Sequence, residues 1–219
     1  MGYKTVAEIF SQISGLYDGF LNFVSAGRIH AWQRELISLM GSGRNILDVG
    51  TGTGEVLLKA RERFNGILVG LDPSEGMLRI ARRKCSECYF LQGLGEDMPF
   101  KEGVFDAITL SLVFRHLEDQ RRLLRDSARI LKVGGEIGIL DVSRIRGTGA
   151  VLFMMRTLLK PAGLLIFGRD KWEFFIHSIE NSHTAEEVSR MLKEAGFGVK
   201  EVRKKLFGFI HIIVGSKTA

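Results

Sequence analysis

The sequence predicts an α/β fold built around a doubly wound, mostly parallel β-sheet, and three observations lead to that prediction. Short apolar segments alternate with amphipathic helical patterns through the middle of the chain. The chain has 26 glycines but only 3 prolines, a balance that suits tight turns between regular elements. Hydrophobic residues make up 45% of its 219 residues, which is enough to form one core. We therefore expect a single domain over residues 1–219.

The expected elements alternate along the chain. Strands are expected at 45–49, 67–71, 89–92, 105–111 and 136–142, and helices at 54–64, 74–84 and 118–131. Strands that are joined through helices pair in parallel, with helices on both faces of the sheet. Near the C-terminus, Thr184 and Glu187 form a capping-box pattern that opens a further helix, and Gly196 ends it.

The last two expected strands, 199–205 and 209–214, are separated by too few residues for a parallel crossover. They must therefore form an antiparallel hairpin. The complete prediction is a seven-stranded, Rossmann-like sheet that is mostly parallel, with its last strand antiparallel.

Two segments fall outside this alternation. Residues 1–42 are expected to form an N-terminal helical cap, and residues 144–181 a helical insertion. The insertion is rich in apolar and aromatic side chains, so it can fold as a lid over a site for an apolar ligand. Ordinary core packing or a homodimer surface explains the same composition. Arg156, Lys160 and Pro161 interrupt its apolar run, so we do not expect it to cross a membrane.

The net charge of +6 favours an anionic partner, whether nucleic acid, a phosphorylated substrate or lipid headgroups. Peripheral contact with an anionic membrane surface is one interpretation of the basic clusters, and solvated helix faces are the other. Because the N-terminal residues carry no secretion signal, we expect a cytoplasmic protein. Cys85 and Cys88 have no second cysteine pair to complete a zinc site, so free thiols at a helix end and no metal are expected, with a metal or redox pair as the alternative.

The strongest motif is a glycine-rich loop between the first expected strand and the helix after it. Glycines let the backbone turn sharply and let a ligand lie against it, while the helix N-terminus offers free N–H groups. The residues of this loop that we expect to bind a cofactor are Asp48, Gly50, Thr51, Gly52 and Gly54.

Acidic residues near the loop distinguish between two possible cofactors, a dinucleotide and S-adenosylmethionine. A dinucleotide fingerprint has its third small residue at position 55, where this chain has Glu55. S-adenosylmethionine carries an ammonium and a sulfonium, so an acid such as Asp48 beside the loop favours it. Asp72 ends the second strand, where its carboxylate can accept hydrogen bonds from ribose hydroxyls. The alternative is an ordinary α/β turn in which Asp72 caps a helix.

On these motifs the chain resembles the class I S-adenosylmethionine-dependent methyltransferases, and more closely the C-methyltransferases of ubiquinone and menaquinone biosynthesis. The spacing from Tyr17 to Trp32 and the C-terminal hairpin match the quinone branch. The resemblance implies that Tyr17 closes over the cofactor, with a core aromatic of the cap as the alternative. Further matching stretches are Leu47–Gly54 (LDVGTGTG), Gly70–Leu78 (GLDPSEGML), Arg129–Gly135 (RILKVGG) and Ala195–Phe197 (AGF).

The chain departs from the family pattern at the adenine end of the site. The family has an acid for the adenine amino group where this chain has Leu94 and Gly95, so we expect adenine to use their backbone groups. The expected cofactor site also includes Pro73, Met77 and Ser111.

Three residues are expected to act on the methyl acceptor. Loss of the hydroxyl proton makes the adjacent carbon of a hydroxylated aromatic ring nucleophilic. His116, which follows the fourth strand, is expected to accept that proton, and Arg115 to stabilise the phenolate. Asp141 ends the fifth strand where the family has Glu, which places it in the expected active site. Structural roles remain alternatives: His116 as a turn residue, Arg115 in solvent and Asp141 as a turn residue.

The sequence thus predicts an enzyme that transfers a methyl group from S-adenosylmethionine to carbon of a small apolar acceptor. The expected acceptor is of the quinone type, demethylmenaquinone-like or another prenylated quinol. O- or N-methylation of another small metabolite or lipid is the first alternative, and a non-enzymatic cofactor-binding scaffold is another. An RNA methyltransferase, and with it nucleic acid as a partner, is disfavoured because the chain has no Asn-Pro-Pro-Tyr-like tetrapeptide.

Overall fold

Seven strands form one sheet in the part of the chain that the computed structural model describes, residues 18–19, 21–22 and 25–218. They are β1 (Ile46–Val49), β2 (Leu68–Asp72), β3 (Tyr89–Gln92), β4 (Phe105–Ser111), β5 (Leu131–Val142), β6 (Phe197–Lys205) and β7 (Ile210–Lys217). Their order is β3-β2-β1-β4-β5-β7-β6. β7 runs antiparallel to β5 and β6, and all other pairs are parallel. The predicted fold class is confirmed.

Eight α-helices accompany the sheet within the same described ranges. They are α1 (Ile29–Leu39), α2 (Glu55–Ala60), α3 (Glu75–Lys84), α4 (Gln120–Ile130), α5 (Thr148–Thr157), α6 (Lys160–Phe167), α7 (Arg169–Glu180) and α8 (Ala185–Glu194). The predicted capping box of α8 is present, because Thr184 and Glu187 each accept a hydrogen bond from the other's backbone N–H. α2 ends earlier than predicted, since Phe64 leaves the helix to bridge to Gly43 and pack in the core.

The C-terminal strands are longer than the hydrophobic pattern indicates. β7 continues past the predicted end at residue 214, through a polar stretch in which Ser216 lies opposite Glu136 and Lys217 opposite Phe197. Backbone pairing with β5 and β6 extends this strand although its side chains no longer alternate.

Two clusters of buried side chains lie on opposite faces of the sheet. Along β1, Leu47 and Val49 belong to one cluster and Ile46 to the other, as the two-residue period of a strand requires. α4 and α8 cover the first face, and α1 and α2 cover the second. The sheet is therefore covered on both sides, and ligands can reach it only at its edges.

Residues 144–181 are largely helical, as predicted, and comprise α5, α6 and α7. α7 packs against both α5 and α6. Gly163 of α6 makes this possible, because a Cβ atom there would lie 2.4 Å from the indole ring of Trp172. None of the described helices is long and apolar enough to cross a membrane.

The prediction of free thiols at Cys85 and Cys88 is wrong. The two cysteines form a disulfide, with their Cα atoms 5.4 Å apart. α3 ends at Lys84, and the turn that follows brings the second cysteine back to the first, with the Cys88 N–H donating to the Cys85 carbonyl at 3.4 Å. The sequence spacing alone does not distinguish this pairing from two thiols at a helix end.

Candidate active site

A cleft opens at the carboxyl ends of β1, β2 and β4, where the strand order reverses. It is open to solvent and is lined by the backbone of the glycine loop together with acidic and apolar side chains. Tyr17 lies outside the described residues. Eleven of the predicted site residues line the cleft: Asp48, Gly50, Thr51, Gly52, Asp72, Pro73, Met77, Leu94, Gly95, Ser111 and His116.

The glycine loop adopts a backbone that favours glycine, with positive φ at Gly50, Gly52 and Gly54. At Gly52 an added Cβ would meet nothing within 4 Å, so this part of the loop leaves open space for a ligand. At Gly54 the Cβ would lie 3.2 Å from that of Ala81. Gly54 does not line the cleft as predicted, and instead lets the start of α2 approach α3.

Asp48 is a buried acid at the base of the cleft, 1% exposed. Its Oδ1 accepts a 2.7 Å hydrogen bond from the Thr109 hydroxyl, while its Oδ2 has no hydrogen-bond partner among the described residues. Burial raises the pKa of Asp48 to about 7, although the hydroxyl groups of Thr109 and Thr51 act to lower it. A buried carboxylate with an unmatched oxygen fits a cationic group, such as the ammonium of S-adenosylmethionine.

Asp72 joins the end of β2 to the glycine loop. Its Oδ1 accepts a hydrogen bond from the Ser74 N–H at 2.8 Å, and its Oδ2 accepts one from the Gly52 N–H at 2.9 Å. Burial raises the pKa of Asp72 to about 6, against these two backbone hydrogen bonds. Because a carboxylate offers about four acceptor positions, Asp72 retains capacity for two ribose hydroxyls.

The adenine end of the expected site consists of backbone and apolar surface. Leu94 and Gly95 follow β3, and Pro73 and Met77 lie at the start of α3. A purine ring needs an apolar slot with a few backbone donors and acceptors, and these four residues fit that requirement.

Gln33 is a cleft residue that was not among the predicted ones. It lies on α1 and is 6% exposed, its Nε2 donates to the Ser111 hydroxyl at 3.3 Å, and its Oε1 has no partner in the described ranges. The sequence does carry a signal for it, since residue 33 is the polar member of the buried stripe of α1.

An ion-pair network forms another part of the cleft wall. Lys84 Nζ lies 2.6 Å from Asp18 Oδ2 and 2.8 Å from Glu55 Oε1. Burial acts to raise the pKa of Glu55, but hydrogen bonds from Lys84 and Lys59 outweigh it and lower the pKa to about 2. Glu55 is therefore ionised, and its charge is partly compensated by these two lysines.

His116 reaches the cleft from the 3₁₀ turn after β4. Its ring stacks on Phe174 of α7, with ring centroids 5.0 Å apart and planes inclined by 11°. Burial, and then the positive charge of Arg115, lower the pKa of His116 well below its usual value of 6.5. The imidazole is therefore neutral at neutral pH and can accept a proton.

Arg115 and Asp141, both predicted to face the acceptor, bind each other and do not line the cleft. Asp141 accepts hydrogen bonds from the backbone N–H and from the Nη1 of Arg115. Arg115 also donates to the Leu112 carbonyl at 3.0 Å, and its Nε lies 3.5 Å from the Ser178 hydroxyl of α7. Because this pair fixes the turn that carries His116, it holds the imidazole in position.

Replacing Asp141 with alanine is expected to lower the free energy of unfolding by about 3–5 kcal/mol, because the partly buried Arg115 guanidinium loses its counter-ion. The double variant Arg115→Met/Asp141→Leu should be destabilised less, since it leaves no unpaired charge. Urea denaturation measures both. The control is Glu194→Ala, which breaks the exposed pair with Arg121 and should change the free energy by less than about 1 kcal/mol. A loss for Asp141→Ala no larger than that of the control would contradict the prediction.

Comparisons with known proteins identify the family of the chain. The model of the ubiE/COQ5 methyltransferase family matches residues 1–217. A demethylmenaquinone methyltransferase of Thermotoga maritima is 33% identical over 211 residues, covering 91% of this chain and 92% of that protein. A protein of Rickettsia massiliae named ubiquinone/menaquinone biosynthesis C-methyltransferase is 30% identical, covering 88% of this chain and 84% of that protein.

Solved structures share the fold. A S-adenosylmethionine-dependent methyltransferase of Thermotoga maritima superposes with a TM-score of 0.70 at 23% identity, covering 97% of this chain and 99% of that one. The cyclase SpnF superposes with a TM-score of 0.69 at 17% identity, covering 98% of this chain and 95% of that one. Since a cyclase shares the fold, the fold alone does not fix the reaction.

The family match runs over almost the whole chain, and the cleft fits S-adenosylmethionine at Asp48, Asp72 and the glycine loop. The chain therefore belongs to the ubiE/COQ5 methyltransferase family and is a S-adenosylmethionine-dependent methyltransferase.

Proposed function

We propose that the protein methylates a ring carbon of a quinone-type acceptor, a demethylmenaquinone-like quinol. The observation that carries this proposal is the similarity to the Thermotoga maritima demethylmenaquinone methyltransferase over nine-tenths of both chains. The partly buried, neutral imidazole of His116 in the cleft supports it, because a quinol must lose a hydroxyl proton before its ring carbon can attack.

The cofactor supplies an activated methyl group, so the protein has to orient two ligands and move one proton. Asp72 would accept hydrogen bonds from the ribose hydroxyls, and Asp48 would face the ammonium. Leu94 and Gly95 would bind adenine through their backbone. The role of Tyr17 over the cofactor stays a prediction.

His116 would accept the quinol hydroxyl proton at a ring nitrogen as the ring carbon bonds to the methyl carbon and the methyl–sulfur bond breaks. Loss of the hydrogen from that ring carbon, with return of a proton to the oxygen, would then restore the aromatic quinol. The lowered pKa has two effects: it leaves the imidazole unprotonated in the free protein, as a base must be, and it makes that imidazole a weaker acceptor of the proton. Arg115 would act through its bond to Asp141, as a positioning residue for the turn. This role replaces the predicted contact of Arg115 and Asp141 with the acceptor.

The acceptor is expected to carry an apolar prenyl tail. This expectation suggests roles for the segments of the chain outside the sheet. In this proposal residues 144–181 act as a lid over the acceptor. The N-terminal cap predicted for residues 1–42 stays a prediction, since residues 1–17, 20 and 23–24 lie outside the described residues. A prenylated acceptor resides in a bilayer, so a cytoplasmic enzyme must meet it at the membrane surface. A homodimer through the insertion is the competing use of its apolar side chains.

An acceptor panel tests the proposal. Purified protein and S-adenosylmethionine are incubated separately with a short-tailed demethylmenaquinol, a catechol, an aromatic amine and RNA, and methylated products are quantified by mass spectrometry. We expect product from the quinol at a rate well above that from the other acceptors. Product from the catechol or the amine alone would favour an O- or N-methyltransferase, and product from RNA alone would overturn the small-molecule assignment.

Cofactor affinity is expected to rise with pH between about 5.5 and 8. The pKa values of Asp48 and Asp72 are raised to about 7 and 6 by burial, so both acids bind protons in the free protein below these values. The ionised carboxylates of Asp48 and Asp72 bind the cofactor best. A proton on either carboxylate must therefore leave before the cofactor binds, and this weakens the binding of the cofactor. The Kd should fall about tenfold per pH unit between 6 and 7 and level off near 8.

Calorimetry in buffers of different ionisation enthalpy measures this Kd together with proton release. The matched control is Asp48→Asn, which removes the group with the higher pKa and should flatten the profile above pH 6. Equal Kd values at pH 5.5 and 8 in the parent protein would show that neither acid is coupled to the cofactor.

A further inference from the structure

Five large apolar side chains stand exposed on α5, on α6 and in the turn between them. They have exposed fractions between 42 and 88% and form what we term the α5–α6 surface: Phe153, Met154, Leu158, Leu159 and Leu165. Scattered single apolar residues are normal on a protein surface, but five large ones exposed within the thirteen residues 153–165 indicate a partner.

Four of these residues lie close together in the sequence: Phe153, Met154, Leu158 and Leu159 fall within seven consecutive positions, at the end of α5 and in the turn that joins it to α6. The Leu159 N–H donates to the Met154 carbonyl at 3.1 Å, which closes that turn. The inner residues of the insertion, Trp172 and Ile176, are buried instead.

The charge of the same segment has one sign. From residue 142 to residue 169 the sequence contains five basic residues and no acidic one. Arg144 and Arg156 pair with glutamates of α8 and α7. Arg146, Lys160 and Arg169 are exposed and make no ion pair with any described acid, so three cations beside the apolar side chains are available to an anionic partner.

A second copy of this chain is a poor match for the surface. A two-fold dimer places the same patch on both sides of the interface, so it would bring two basic, acid-free segments together. A spanning helix is no alternative either, since no described helix is long and apolar enough. An anionic bilayer satisfies both features, because acyl chains accept the apolar side chains and headgroup phosphates accept the cations.

We propose that the α5–α6 surface lies on an anionic phospholipid bilayer, with α5 and α6 in the plane of the headgroups. α7 packs beneath these helices, and its Phe174 stacks on His116 in the cleft. One layer of helices therefore separates the bilayer from the acceptor site. The proposal deepens the proposed function by naming where the protein meets the membrane. The exposed apolar side chains and cations that support it do not depend on the identity of the acceptor.

Vesicle co-sedimentation of the full chain tests this proposal. Vesicles of phosphatidylcholine with phosphatidylglycerol are expected to bind the parent protein, and vesicles of phosphatidylcholine alone to bind it much less. The variant Arg146→Gln/Lys160→Gln/Arg169→Gln should weaken binding about 100-fold, since each cation near an anionic surface contributes about fivefold. The variant Phe153→Gln/Leu158→Gln/Leu165→Gln should weaken it at least about tenfold.

Matched controls use exposed residues elsewhere. Arg79→Gln/Lys101→Gln/Arg125→Gln removes the same charge, and Tyr89→Gln/Val133→Gln/Phe207→Gln removes apolar side chains of similar exposure. Both controls should bind like the parent, and all variants should keep the parent's thermal unfolding midpoint.

Three results would overturn the proposal: no binding of the parent to anionic vesicles, equal loss in the controls, or conversion of a parent dimer to a monomer by the apolar variant with vesicle binding unchanged. The assay contains no methyl acceptor, and the short-tailed quinol assay contains no vesicles. Failure of one is thus distinguishable from failure of the other.

Discussion

Replacing Asp72 with asparagine is expected to weaken the binding of S-adenosylmethionine by at least about 100-fold. The Asp72 carboxylate is 7% exposed, is fixed by the backbone N–H groups of Gly52 and Ser74, and keeps acceptor capacity towards the cleft. Hydrogen bonds to a charged group contribute about 1.5–3 kcal/mol each, and two ribose hydroxyls would lose theirs. Isothermal titration calorimetry measures the change.

The control for this variant is Asp97→Asn, which changes an acid that is 86% exposed and does not line the cleft. It should leave the Kd unchanged. The thermal unfolding midpoint of Asp72→Asn without ligand separates lost cofactor contacts from a disturbed loop. An unchanged Kd in Asp72→Asn would remove the principal support for the ribose contact.

The variant His116→Gln should lower kcat by about 100- to 10,000-fold while leaving the Kd for S-adenosylmethionine unchanged. Glutamine keeps a polar side chain in the turn but cannot accept the quinol proton, and a positioned base contributes a factor of this size. Single-turnover kinetics with the short-tailed quinol measures the chemical step.

His211 provides the matched control for this prediction. It is a buried histidine, 1% exposed on β7, and it does not line the cleft. His211→Gln should therefore change stability but not kcat. If His116→Gln turned over as fast as the parent protein, the imidazole would be a turn residue that only stacks on Phe174.

The local pattern of the sequence is enough to predict the sheet. Strands that alternate with helices have only a parallel arrangement open to them, and the short link before Phe209 permits only a hairpin. The ends of β7 depend on pairing with distant residues such as Glu136, which no local pattern shows. The disulfide between Cys85 and Cys88 depends in the same way on how the chain turns after α3.

The cofactor half of the site is predicted more completely than the acceptor half. Asp48, Asp72 and the glycine loop follow from chain geometry, because they end neighbouring parallel strands. The same rule places Arg115 and Asp141 at that edge of the sheet, but it does not reveal that they turn towards each other. Gln33 reaches the cleft from α1, whose packing on the sheet is a tertiary feature.

The position of the transferred methyl group shows directly whether the protein methylates a ring carbon of a quinol. Purified protein is given S-adenosylmethionine with a carbon-13 methyl group and short-tailed demethylmenaquinol, and the product is analysed by nuclear magnetic resonance. We expect a methyl signal on a ring carbon, with both hydroxyl groups still free. A methoxy signal, or no product from the quinol under conditions where an amine or RNA is methylated, would contradict it.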